Sequence, residues 1–179
     1  MGSNAFSQTL IQAIDKNDSA LVLSLIKSGA DVNALDENGA TPLSKACRWN
    51  YVSIVKVLLA NGAMVDSPRS KAGRTPLMVA NAYIAGITVT KLLVEHGANV
   101  NASANNGTTV LMLAAQYSKS DNVEYLLAHG ADATATDAKG RNALEYAEKA
   151  SVAIDPAELP DSRIDKADCI ARISKALGK

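Results

Sequence analysis

An all-α solenoid of stacked helix-turn-helix units is the fold that the 179-residue sequence predicts, and three observations carry it. Gly29-Ala30-Asp31, Gly62-Ala63-Met64, Gly97-Ala98-Asn99 and Gly130-Ala131-Asp132 recur at steps of 33, 35 and 33 residues. A second series keeps the same period: Gly39-Ala40-Thr41-Pro42-Leu43, Gly73-Arg74-Thr75-Pro76-Leu77, Gly107-Thr108-Thr109-Val110-Leu111 and Gly140-Arg141-Asn142-Ala143-Leu144. Self-similarity of this kind marks a repeat architecture, in which each unit buries its apolar face against the next. Composition agrees: with one Phe and one Trp, the core must come mainly from Leu, Ile, Val and Ala, which suits many small, similar interfaces.

The whole chain, 1–179, reads as one domain. Residues 1–5 are small and polar and read as a cloning remnant. Residues 6–38 lack Thr-Pro-Leu and form an N-terminal cap unit; 39–72, 73–106 and 107–139 are full units; 140–179 is a degenerate last one. Within a unit, Thr41 and Thr75 are good helix N-caps, and Pro42 and Pro76 fall at the first helical position, where the missing N–H costs nothing. The runs 52–59 and 122–127 then carry apolar residues at helical spacing, and Gly62, Gly97 and Gly130 stop that second helix as left-handed caps do. In the last unit a helix is expected over 142–150. Pro156 and Pro160 then occupy an inserted loop, 151–162, that is either a spacer or a specificity element. The postponed final helix, about 163–177, would present Ile164, Ala167, Ile170, Ile173 and Leu177 on one face.

Thr-Pro-Leu, the Ala46-Cys47 and Ala114-Ala115 pairs, Leu-Leu, and Gly-Ala-Asp-Val-Asn-Ala from Gly29 to Ala34 together resemble the ankyrin consensus over nearly the whole chain. The resemblance implies paired antiparallel helices stacked side by side, loops projecting as hairpin fingers, and a protein-binding role. Departures are plain. Ser44, Met78 and Met112 stand where the family places His, so the hydrogen bonds that His makes between repeats are expected to be lost. The finger-tip Asp survives as Asp36 and Asp137 but is replaced by Ser70 and Ala104. One extra residue falls in the finger around 66–72 and another between helices around 84–88.

Counting three residues on from Ala46, Ala80 and Ala114 gives Trp49, Tyr83 and Tyr117, an aromatic at one register in three consecutive units. The resemblance implies that this register is the exposed end of the first helix on the concave side, where the rings would form a column spaced by about 10 Å. Trp and Tyr are favoured at binding hot spots; the alternative is that the rings shield the turn between helices. Arg48 and Gln116 flank the column, and Lys45 reaches the same face. The fingers would add Leu35, Glu37, Asn38, Arg69, Lys71, Arg74, Asn105, Asn106 and Lys139.

Charge gives a second clue. Eighteen basic residues balance eighteen acidic ones, which removes the global attraction on which polyanion binders rely, so no nucleic-acid partner is expected. Yet between Asn38 and Ser120 eight bases, including Lys45, Arg48, Arg74 and Lys119, face only Asp66 and Glu95, whereas 121–168 carries eleven acids against five bases. Such polarity either orients a partner or only solvates the surface. No apolar run approaches the ~20 residues of a membrane span.

No catalytic constellation emerges. His96 and His129 share one register just before a terminal glycine, too far apart to hold one zinc ion, and are expected to serve the ends of their helices. Cys47 and Cys169 read as two unpaired thiols. No cofactor and no metal is implied. The expectation is a free-standing, monomeric binder, a dedicated inhibitor or immunity-type protein that covers another protein such as an enzyme. The alternative is an adaptor or scaffold that tethers two. Its compartment would be the cytoplasm, or a bacterial periplasm if a signal peptide had been trimmed.

Overall fold

A computed structural model describes residues 3–67, 72–83, 86–150 and 165–179, the side chains of 3–8 excepted. The described residues form α1 (Ser3–Asp15), α2 (Ser19–Lys27), α3 (Pro42–Arg48), α4 (Val52–Ala60), α5 (Pro76–Ala82), α6 (Ile87–Glu95), α7 (Val110–Gln116), α8 (Ser120–Ala128), α9 (Ala143–Glu148) and α10 (Lys166–Ala176). They contain no strand, only an isolated bridge between Ser103 and Thr109. The predicted all-α solenoid is what forms.

Helices pair in sequence and stack in two rows. The row α1, α3, α5, α7, α9 packs neighbour on neighbour, and so does the row α2, α4, α6, α8, α10 behind it. In the middle units the first helix is seven residues long and the second nine. One continuous apolar core runs between the rows from Leu10 and Ile14, through Leu43, Ile54, Leu58, Leu77, Leu93, Leu111 and Leu126, to Leu144 and Ile173.

The short helices begin where the sequence says. Thr41, Thr75 and Thr109 each accept a hydrogen bond from the backbone N–H three residues on, and Asn142 does the same for α9. The side chains of two of the residues standing in place of His, Ser44 and Met112, are drawn into these caps. The Thr41 hydroxyl donates to Ser44 Oγ at 3.1 Å, and the Thr109 N–H donates to Met112 Sδ at 3.4 Å. The outer helices end on glycine in the left-handed region, Gly62, Gly97 and Gly130 at φ near 85°.

Repeats are also tied by side-chain amides. Asn33 donates to the Gly62 carbonyl and accepts from the Met64 N–H, and Asn101 repeats both bonds with Gly130 and Asp132. Between them Asp66, one period on from Asn33, only accepts, from the Asn99 N–H. The fingers pair along their edges: Asn105 N–H donates to Ala72 and Ala138 N–H to Asn106. Gly107 sits where this pairing leaves no room, since a Cβ there would lie 3.1 Å from the backbone of Asp137 and Ala138.

The last unit departs from expectation at Ala167. α10 is buried through Cys169 and Ile173, with Ile170 and Leu177 packed beside them, while Ala167 faces solvent. Asp165 caps the helix, its carboxylate accepting from Asp168 N–H. Arg172 then clamps α10 to α8 by bonding Asp168 at 2.7 Å and Glu124 at 2.9 Å. Ile164, and the inserted loop 151–162 read as spacer or specificity element, lie outside the described residues.

Candidate functional site

The C-terminal ends of the short helices build the site. Trp49 and Tyr117 are the C-cap residues of α3 and α7, with near-identical backbone angles. Tyr83 caps α5 but leaves it extended, at φ −132° and ψ −158°, where the extra residue of the following linker alters the path. The three rings therefore share a register in sequence but not one backbone conformation. Trp49 is 46% exposed, and Tyr83 and Tyr117 are half-buried against the core.

Arg48, exposed beside them, lies over both of the first two rings, 5.6 Å from the Trp49 centroid and 4.5 Å from that of Tyr83. These are cation–π contacts, in which the ring faces attract the guanidinium charge. The three residues form one side of a groove of about 510 Å³ that reaches to the fingers, with Lys45, Asp36, Asn38 and Arg74 also on its walls. Lys45 is held there by Asp15 of α1 at 2.9 Å. Tyr117 and Gln116 do not line this groove, although Gln116 is exposed.

Side-chain hydrogen bonds brace the backbone of the fingers of Asp36, Asn106 and Asp137. Asp36 Oδ1 accepts from the N–H of Asn38 and of Ala40, and Asn106 Oδ1 from that of Thr108. Asp137 repeats the arrangement with Lys139 and Arg141 and goes further. Its buried carboxylate pairs with the Arg141 guanidinium at 2.6 Å and accepts from the Tyr146 hydroxyl at 2.8 Å. The Arg141 guanidinium, above all, and then these N–H and O–H donors hold the Asp137 carboxyl well below the usual carboxylate range. On the finger surfaces Leu35, Glu37, Asn38, Asn105, Asn106 and Lys139 are exposed, whereas Arg74 is half-buried and turned into the groove rather than outward. Arg69 and Lys71 lie outside the described residues.

One predicted surface charge is not on the surface. Lys119 is fully buried, its ammonium donating to the carbonyls of Ala80 (2.9 Å) and Tyr83 at the end of α5. Beside it lies a buried amide cluster: Asn122 donates to Asn81 Oδ1 and to Thr90 Oγ1, both at 2.9 Å, and Asn81 donates to the Leu77 carbonyl. Sequence reasoning missed this polar seam. The signal available was the run Ser118-Lys119-Ser120 facing an over-long linker in the preceding unit.

The remaining candidates are structural. His96 and His129 cap α6 and α8, with Nδ1 2.8 Å and 2.7 Å from the carbonyls of Leu92 and Tyr125, and the His129 ring stacks on Tyr125. Cys47 and Cys169 are buried and form no disulfide, and burial pushes the Cys47 thiol well up. Among the described residues no group of three His, Cys, Asp or Glu could hold a metal ion, and no helix is long and apolar enough to cross a membrane.

Comparison with known proteins decides the family. The description "Ankyrin repeats (3 copies)" matches residues 10–104, more than half of the chain, and "Ankyrin repeats (many copies)" matches 93–147. The chain belongs to the ankyrin repeat family. It is similar to an ankyrin repeat protein of fowlpox virus, at 36% identity over 74% of this chain and 40% of that one. It also resembles human Rabankyrin-5, at 33% identity over 82% of this chain and 14% of the relative. A Danio rerio protein named for palmitoyltransferase activity matches at 31% identity, over 83% of this chain and 23% of its own length. The chain thus spans well under half of each of these relatives. They are viral and vertebrate proteins and lend no support to the bacterial source expected from the sequence. As an ankyrin repeat protein, the chain is a protein-binding module.

Proposed function

We infer that this ankyrin chain acts by covering a surface of one dedicated partner protein, and that the partner is an enzyme which it inhibits. The observation that carries the reading is the groove in which Trp49, Tyr83 and Arg48 from helix ends meet Asn38 and Arg74 from the fingers. Groups far apart in sequence converge there on a concave, mixed aromatic and charged surface, of the kind that supplies hot spots. What converges is contact area rather than a nucleophile with a base, so the direct consequence of binding is exclusion of whatever else would use that surface. The exposed finger residues Glu37, Asn105, Asn106 and Lys139 extend the contact, and Tyr117 and Gln116 continue it along the short-helix face.

A second recess, between α8 and α10, favours tethering as the competing reading, because Leu127 and Lys175 there offer a separate outer contact. The experiment is to capture the partner with the intact chain and assay that partner's own activity as the chain is titrated in. Loss of activity at one-to-one stoichiometry supports inhibition. Full activity in the saturated complex, with a second protein recruited to the α8–α10 side, overturns it in favour of a scaffold.

A further inference from the structure

The Arg48 guanidinium is stacked but not ion-paired. It lies over the Tyr83 and Trp49 rings, yet among the described residues no carboxylate neutralises it. The two acids of the same groove are engaged: Asp15 with Lys45 at 2.9 Å, and Asp36 Oδ1 with the finger N–H groups of Asn38 and Ala40. With Lys45, Arg48 and Arg74 against Asp15 and Asp36, the walls of the groove carry an excess of positive charge. Arg48 is exposed, and a guanidinium held over ring faces keeps N–H donors in a fork that matches a carboxylate. A volume of about 510 Å³ lies in the range of sites that enclose a ligand larger than one side chain.

Resting on the reading that this groove is the partner-binding site, we propose that Arg48 is a specificity residue that grips the Asp or Glu side chain of an extended segment of the partner. The carboxylate takes two N–H bonds from the guanidinium edge, and the residues flanking the acid lie against the Trp49 and Tyr83 rings. The half-exposed Trp49 supplies apolar area, and the fork supplies the choice of acid over its amide.

Trp49 is the single Trp of the chain, so its emission reports occupancy of the groove directly. The probe is a randomised hexapeptide library displayed on phage and selected on the intact chain. The selected sequences are then synthesised with blocked ends and titrated against Trp49 emission. The expected result is one position fixed as Asp or Glu, with binding at least tenfold weaker when that acid becomes its amide. Equal loss is expected for Arg48→Gln and for Arg48→Lys, which keeps the charge but not the fork, with circular dichroism unchanged. Peptides that alter Trp49 emission without a fixed acid, or that bind Arg48→Lys as well as the parent, overturn the Arg48 proposal while leaving the groove as binding site. Peptides that require a free C-terminal carboxylate instead of an internal acid also overturn it. If no selected peptide alters Trp49 emission, both the proposal and the groove reading fail.

Discussion

Lys119 closes two helices in successive repeats: its backbone N–H bonds the Ala114 carbonyl of its own unit at 3.0 Å, and its ammonium bonds the Ala80 carbonyl one unit earlier at 2.9 Å. Ala80 is the counterpart of Ala13, Ala46 and Ala114, whose carbonyls accept backbone N–H groups from Asp18, Tyr51 and Lys119. The linker after α5 is one residue longer, and a lysine from the next repeat reaches into the seam at that point. Asn50 holds the same linker from the other side, its Oδ1 accepting from Gly86 N–H.

Lys119→Met keeps most of the buried stem and removes the donor. Hydrogen bonds to charged groups contribute about 1.5–3 kcal/mol each, and a buried carbonyl left unpaired adds to the loss. Urea unfolding should show a destabilisation of about 2–4 kcal/mol, with amide exchange rising first in α5. A change within about 0.5 kcal/mol, the scale of an ordinary surface substitution, would place Lys119 among the dispensable charges.

Asn122→Ala should act at the same seam through neutral groups. It deprives Asn81 Oδ1 of its amide donor in a site with no exposure and leaves Thr90 Oγ1 with the 3.3 Å bond from the Asn81 amide. A loss of about 1–3 kcal/mol in chemical unfolding is expected, because the orphaned Asn81 oxygen keeps its desolvation cost. Asn122→Asp should be worse than Asn122→Ala, since it adds an acid to a buried site.

Asp137 predicts a pH dependence with a definite sign. Its folded carboxyl is held well below the usual value by Arg141, so its contribution is fully present above about pH 4, the ordinary range for Asp, and is lost as pH falls toward the folded value. Asp137→Asn should therefore melt below the parent at neutral pH, and the gap should narrow as pH drops below about 4. A gap independent of pH across that range would mean that the turn hydrogen bonds, not the charge, carry the effect.

Much of this was legible in the chain. The 33-residue beat, the Thr-Pro starts and the glycine stops are local signals that tertiary packing did not override, and each helix of the middle units falls where they put it. The aromatic register put Trp49, Tyr83 and Tyr117 at the ends of the short helices, where they lie, but only the packed structure reveals that Arg48 bridges Trp49 and Tyr83 and that Tyr117 stands apart from their groove. Lys119 was read as a surface charge because one letter of sequence cannot tell a solvated lysine from one that fills a neighbour's gap. Ala167 was placed on the apolar face and is exposed, for a similar reason: α10 is positioned by its cap and by its contacts with α8 and α9, not by the apolar pattern alone.

The claim that the chain binds its partner through the short-helix groove is tested most directly by the dissociation constant of the captured partner for Trp49→Ala against the parent chain. Trp49 is nearly half exposed, so its removal should move the melting temperature little. The predicted result is a loss of affinity of about tenfold or more, the scale of a hot-spot residue. Unchanged affinity with an intact fold would contradict it.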